Sequence, residues 1–215
     1  MDVRSVDVLV DDLTRVDIDE DLLSTAELGR ALGFGSPAML KQYLAAHTWL
    51  RRRLSDYLGA APDEIRFAEG GYGKPVIVSP QTDLSFNLSY SNGMALLALG
   101  YDMAVGVDME PLDRARINRG MLHRVLSPGE IDLVLSSDDE VRTFLELWVR
   151  KEALAKAAGL GVDEEITAID LRGVSPVLMD GFEVADLNIG DRFVAAAAVP
   201  PGCRIQMSTL IEAAV

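Results

Sequence analysis

The chain has 215 residues, 34 acidic against 20 basic side chains and a net charge of −14, which argues against nucleic acid as a partner, because nucleic-acid binders carry a basic footprint. Hydrophobic residues make up 49% and charged residues 25%, the balance of a globular chain, long enough for one large domain or two small ones sharing a core. No apolar run approaches the roughly 20 residues of a membrane helix, and any anionic ligand has to be held by local Lys and Arg against the overall field.

The first residues, "MDVRSVDVLVDDL", alternate and are punctuated by acids. They lack the basic stretch and apolar core of a signal peptide and read as a first strand over 6–10. Residues 20–33 are predicted helical, with "LGFGSP" as the stop. Apolar periodicity through Leu40, Tyr43, Leu44, His47, Leu50, Leu54 and Leu58 marks a long helix over 38–58. A strand at 64–68, the glycine-rich turn "GGYGKP" and another strand come next. Residues 83–110 hold three short strands, with turns at Asn92-Gly93 and Asp102. Short helices are predicted over 118–126 and 128–136, the second opened by the capping box "SPGE" with Pro at its first position. A helix over 138–158 follows. Residues 165–212 read mostly as strand, with turns at Gly173, Asp180-Gly181, Gly190-Asp191 and Pro200-Pro201-Gly202. The acidic runs "DDLTRVDIDEDLL" and "SSDDE" read as solvated surface. Cys203 is the single cysteine, so no internal disulfide forms, which fits a reducing cytoplasm. The strands "MALLALG" and "FVAAAAVP" are both Ala-rich and each comes after a long helix. They suggest a faint repeat and an α+β chain of two related halves, 1–103 and 104–215.

Two stretches carry the candidate chemistry. In "AVGVDMEPL", valines at 105 and 107 alternate with Gly106 and Asp108 in a strand pattern. Asp108 and Glu110 therefore share a face, about 6–7 Å apart along the strand. Two carboxylates at that spacing can share one hard cation such as Mg2+, although most Asp-x-Glu pairs are solvated surface. In "FLELWVRKEALAKAAGLG", a helical advance of about 100° per residue gathers Val141, Phe144, Leu145, Trp148 and Val149 on one side. Glu152 falls on that apolar stripe and Lys156 follows one turn later. A carboxylate there is costly unless compensated. Either a divalent cation shared with Asp108 and Glu110 compensates it, or Glu152 and Lys156 form an exposed i,i+4 ion pair.

Anion-binding candidates are less distinctive. Lys74 follows a glycine-rich turn and precedes Pro75, but the spacing is not that of a P-loop. "FNLSYS" offers Ser89, Tyr90 and Ser91 at a strand end. "LRRRL" offers Arg51, Arg52 and Arg53, of which at most two can face one site.

Together these stretches, in the order "YLAAHTWLRRRLSDYLG", "GKP", "FNLSYS", "GVDME", "LSPGEI" and "WVRKEALAKAAGLG", resemble the surfactin-type 4′-phosphopantetheinyl transferases. The family's two-part signature, Gly-[Ile/Val]-Asp-x-Glu and then Trp-x-x-Lys-Glu-[Ala/Ser]-x-x-Lys, is met by residues 106–110 and 148–156. The resemblance spans residues 38–161. It implies an α+β fold of two pseudo-symmetric halves, each a small antiparallel sheet packed with a long helix. The first half would contribute to nucleotide binding and the second to metal binding and catalysis. It implies transfer of phosphopantetheine from coenzyme A to a serine of an acyl or peptidyl carrier protein, releasing 3′,5′-ADP. Carried over, Asp108, Glu110 and Glu152 would hold Mg2+, or Mn2+. Glu152 or a metal-linked water would deprotonate the serine, and Lys156 would neutralise the diphosphate and leaving group. Arg51, Lys74, Pro75, Ser89 and Tyr90, together with Asp108 and Lys156, would contact coenzyme A. The family commonly has His where Tyr90 stands, and a phenol cannot carry positive charge near neutral pH. His47 and His123 are expected to be structural or surface residues. "RARINRGMLHR" places Arg114, Arg116, Arg119 and Arg124 where the carrier would dock; a solvated loop is the alternative. The expected state is a cytoplasmic monomer. The competing reading is a non-catalytic coenzyme A-binding or interaction module that kept the fold.

Overall fold

The computed structural model describes residues 4–114, 117, 119–173, 177–179 and 181–209. In chain order its regular elements are β1 (Ser5–Asp12), α1 (Thr25–Ala31), α2 (Pro37–Leu58), β2 (Arg66–Glu69), β3 (Pro75–Ser79), β4 (Leu84–Ser91), β5 (Met94–Tyr101), β6 (Gly106–Pro111), α3 (Arg119–Val125), α4 (Pro128–Ser136), α5 (Glu140–Ala158), α6 (Glu164–Ala168), β7 (Val177–Met179), β8 (Phe182–Asp186), β9 (Phe193–Val199) and β10 (Arg204–Thr209). This is an α+β architecture. Two four-stranded sheets run β10-β1-β5-β4 and β6-β9-β8-β7, and β2-β3 is a separate ribbon. All pairings are antiparallel except β1 with β10. The chain thus ends its described part in the sheet where it began. None of the described helices is long and apolar enough to cross a membrane.

Strand alternation sets the layers. On β5, Ala95, Leu97 and Leu99 face α2, meeting Ala46, Trp49, Leu50 and Leu54. Met94, Leu96 and Ala98 face the other way, onto Val107 and Met109 of β6 and Ala195, Ala197 and Val199 of β9. The opposite face of β9, Val194, Ala196 and Ala198, packs under Phe144, Leu145, Val149 and Ala153 of α5. The order is α2, first sheet, second sheet, α5. The two Ala-rich strands are both interior and face each other, and small side chains let the two sheets and the covering helices approach closely.

The predicted helix over 20–33 is broken. A 3-10 turn at Glu20–Leu22 precedes α1, which starts afresh at Ser24. Ser24 Oγ accepts from Glu27 N, and Glu27 Oε2 accepts from Ser24 N at 2.9 Å, a reciprocal cap that fixes a new N-terminus. Helix α6 stands where strand was predicted, started by Asp163, whose carboxylate accepts from the amides of Glu165 and Ile166. The predicted turn residue Asp180 lies outside the described residues.

One contact locks the second sheet to its helix. A Cβ built on Gly106 would lie 2.1 Å from the Ala153 carbonyl oxygen and 2.4 Å from the Ala157 nitrogen. Strand β6 and helix α5 therefore touch backbone to backbone, which a side chain at 106 would prevent. Gly106→Ala forces α5 off β6 and is expected to destabilise the chain by about 2 kcal/mol or more, read as a lowered urea midpoint. An unchanged midpoint would show that the seam is looser than this.

Candidate active site

Strand β6 sends Val107 and Met109 into the layer between the sheets. Period-two alternation leaves Asp108 and Glu110 on the side of α5. Helix α5 presents Trp148, Glu152 and Lys156 at successive turns, and all five side chains line one pocket of about 350 Å3. Its remaining wall is the end of β4, Leu88 to Ser91. Asn87 and Ser89, two apart on β4, hold that wall in place. Asn87 Oδ1 accepts from Val107 N at 2.8 Å, and Ser89 Oγ donates to Asp108 Oδ1 at 2.9 Å.

Lys156 donates to the same Asp108 oxygen at 2.6 Å and to the Val107 carbonyl at 3.3 Å. The exposed Glu152–Lys156 pair is therefore not what forms; Lys156 turns to the strand. Asp108 is buried, and its second oxygen, Oδ2, has no hydrogen-bond partner among the described residues. A bare buried carboxylate oxygen is unfavourable and needs an explanation. Glu110 is pushed up to about 7, mainly by burial and then by the charge of Asp108, with Lys156 opposing and Glu152 adding. Burial also raises Glu152, with Lys156 opposing and Asp108 adding. A cation would relieve all three strains at once. The donors are all carboxylate oxygens, the chemistry that hard divalent ions prefer. As the side chains stand, no three Asp, Glu, His or Cys among the described residues enclose an ion; Mg2+ ordinarily takes one or two carboxylates and completes its shell with waters and phosphate oxygens.

The other expected ligands are distributed differently. Tyr90 lines the pocket; burial raises its phenol, with Arg30 opposing, so it stays neutral. Its other side meets the His47 ring edge-on at 6.4 Å. Arg51 is not brought to the pocket. It is 1% exposed and spends its donors on Glu27, at 2.6 Å and 3.1 Å, and on the carbonyls of Pro62 and Ile65. Burial works to raise Glu27, but hydrogen bonds from His47, Arg51 and Ser24 outweigh it and hold the carboxyl far below its usual range. His47 is structural, bonded to Glu27 at 2.9 Å and stacked on Tyr43. Lys74 is likewise absent from the carboxylate pocket and lines, with Pro75, a separate cavity of about 570 Å3. Its Nζ donates to the carbonyls of Val105 and Lys156. His123, Arg119 and Arg124 are exposed on α3; Arg116 and the side chain of Arg114 lie outside the described residues.

Sequence reasoning missed Asn87, the contact of Gly106 with α5 and the buried Glu130–Lys151 pair. Lys151, next to Glu152, points away from the pocket. It is fully buried, 3.0 Å from Glu130, and donates to the carbonyls of Ile166, Thr167 and Ile169. The capping box "SPGE" marked Glu130 as an N-terminal residue but could not show its second partner, Leu171 N at 2.9 Å.

Residues 104–192 match the 4′-phosphopantetheinyl transferase superfamily. The 4′-phosphopantetheinyl transferase HetI of Nostoc sp. is 33% identical over 185 residues, 82% of this chain and 78% of that protein. The chain belongs to the 4′-phosphopantetheinyl transferase superfamily. Two further relatives are the 4′-phosphopantetheinyl transferase AcpT of Escherichia coli O157:H7, 38% identical over 66% of this chain and 72% of that protein, and a putative 4′-phosphopantetheinyl transferase of Synechocystis sp., 30% identical over 66% of this chain and 58% of that protein. The matched region of this transferase contains Asp108, Glu110, Glu152 and Lys156 together.

The strained carboxylate makes a pH prediction for the metal-free transferase. Glu110 has a folded value near 7 against an ordinary 4.5. The folded state therefore keeps a proton that the unfolded state loses between those values. Its burial is free of charge cost below about pH 4.5, and stability falls as pH rises through 7. Glu110→Gln in a chelator is expected to gain more stability over wild type at pH 8 than at pH 5, measured by urea unfolding; an equal gain at both would contradict the shift.

Proposed function

We propose that this transferase, as a surfactin-type enzyme, moves the 4′-phosphopantetheine of coenzyme A to a serine of an acyl or peptidyl carrier protein, with Mg2+ as its cofactor and 3′,5′-ADP as the second product. The convergence of Asp108, Glu110, Glu152 and Lys156 on one pocket, with Asp108 Oδ2 bare, carries this reading. The serine belongs to the partner, which accords with a pocket whose lining holds no Ser-His-Asp set. In this scheme the carrier serine oxygen attacks the phosphorus that bears pantetheine. A new P–O bond forms, and the P–O bond to 3′,5′-ADP breaks. Glu152 would accept the serine proton, directly or through a water. Lys156 faces the charge that builds on the diphosphate and the departing ADP. Asp108 holds Lys156 by its paired oxygen and leaves Oδ2 for the cation. Asp108, Glu110 and Glu152 would hold Mg2+, which when bound supplies charge neutralisation on the diphosphate. Ser89 and Tyr90 would meet the coenzyme as uncharged hydrogen-bonding groups, and the 1–103 half would contribute this wall.

The test incubates the protein with coenzyme A, Mg2+ and a panel of apo carrier proteins. The expected outcome is a carrier mass gain of one phosphopantetheine, with kcat lowered about 10²–10³-fold by Glu152→Gln or Lys156→Ala. Binding of coenzyme A without any mass gain would support the non-catalytic alternative.

Helix α3 is the proposed docking face for the carrier. Arg119 and Arg124 are exposed there beside Met121, 37% exposed, a basic and apolar patch on an otherwise acidic chain. Replacing both arginines by Glu is expected to raise the KM for the carrier about tenfold and leave the KM for coenzyme A unchanged. A change in both constants, or in neither, would count against this face.

A further inference from the structure

Lys74 sits next to the turn at which an anion ligand was expected, yet both of its resolved bonds go to the protein. Its Nζ donates to the Val105 carbonyl at 2.9 Å and to the Lys156 carbonyl at 2.7 Å. Val105 immediately precedes β6, and Lys156 lies in the last turn of α5, so Lys74 bridges the two elements that carry the site. The Lys156 side chain in turn reaches back to the Val107 carbonyl and to Asp108. Two lysines thus join α5 to β6, Lys74 through a backbone carbonyl of each element and Lys156 through the Val107 carbonyl and Asp108. Between them lies Gly106, where the two backbones touch.

The turn that presents Lys74 is itself seated on the end of α5. A Cβ on Gly71 would lie 3.0 Å from the Gly159 carbonyl oxygen, and one on Gly161 would lie 3.4 Å from the Tyr72 ring. Tyr72 holds a left-handed backbone, φ 50°, to make this fit. Partial burial lowers the Lys74 ammonium from its ordinary value.

We infer that Lys74 is a positioning residue: its two carbonyl bonds fix the register of α5 on β6, and thereby the meeting of Lys156 with Asp108, and it is not a ligand to the phosphates of the substrate. The inference rests on the transfer reading above for its kinetic arm alone. Displacement of a catalytic group by about 1 Å can lower a rate about 10²-fold while ground-state binding survives. Lys74→Met, which keeps length and removes the donors, is therefore expected to lower kcat per folded molecule about ten- to a hundredfold. The KM and the calorimetric Kd for coenzyme A with Mg2+ stay within about threefold of wild type. Amide exchange at 105–108 and 156–159 becomes faster. Lys74→Arg, which still reaches two carbonyls, restores kcat to within about tenfold of wild type. A Kd for coenzyme A raised tenfold or more with kcat near wild type would overturn the inference and make Lys74 a ligand; so would unchanged kcat with unchanged exchange. If Lys74→Met does not fold, Lys74→Arg decides: coenzyme A affinity retained with kcat within about tenfold of wild type supports the inference, and loss of coenzyme A affinity in the folded Arg variant overturns it. If wild type modifies no carrier, the transfer reading fails, while coenzyme A affinity and amide exchange still decide the role of Lys74.

Discussion

Everything in the candidate site hangs on the backbone contact between Gly106 and the Ala153–Ala157 turn of α5. Asp108 is two residues along the strand from that point, and Lys156 lies within the helical turn that makes it. A side chain at 106 would hold the helix farther from the strand and stretch the 2.6 Å bond between Lys156 and Asp108. Close approach at a glycine thus converts two local periodicities, two on the strand and 3.6 on the helix, into one shared pocket. In the signature "GVDME", the glycine is as much a part of the site's geometry as the acids.

Among the described residues, the ion networks of the interior contrast with the acids of the pocket. Glu27 with Arg51 and Glu130 with Lys151 are complete: each acid has a cation and backbone donors, and each cation has carbonyls as well. Such networks tie distant segments together, and breaking one partner leaves a buried charge that costs about 3–5 kcal/mol. The pocket acids are incomplete. Asp108 keeps a bare oxygen, and Glu110 and Glu152 are forced toward their neutral forms by burial. Interiors that complete some charges and leave others short are signalling where a ligand belongs. That contrast, more than the count of acids, separates the candidate site from the structural ion pairs.

The layered fold explains why the pocket sits where it does. The second sheet is sandwiched between the first sheet and α5, so its middle is filled by Val, Met and Ala. At the β6 edge the first sheet supplies β4, whose Asn87 and Ser89 reach across to Val107 and Asp108. The pocket is the place where two sheet edges and a helix meet without enough apolar side chains to fill the gap.

Periodicity alone placed Asp108 with Glu110 on one strand face and Glu152 with Lys156 on one helical stripe, because those relations are set by geometry within a single element. It also placed most element boundaries, erring at 20–33, where a capping box inside an apparent helix restarts it, and at 164–168, where an Asp cap starts a helix too short to show periodicity. The destinations of the cations were not legible. Arg51 turned to Glu27, 24 residues away, and Lys74 to carbonyls 31 and 82 residues away. From the sequence, a basic residue next to a glycine-rich turn or on a helix reads as an anion binder whether or not its donors are already taken. What the sequence by itself determined was the side of its own element on which each group stands. Which carboxylates lack a partner and which cations are already spent was decided by the tertiary structure, since a hydrogen bond is completed by whatever packing brings within about 3 Å.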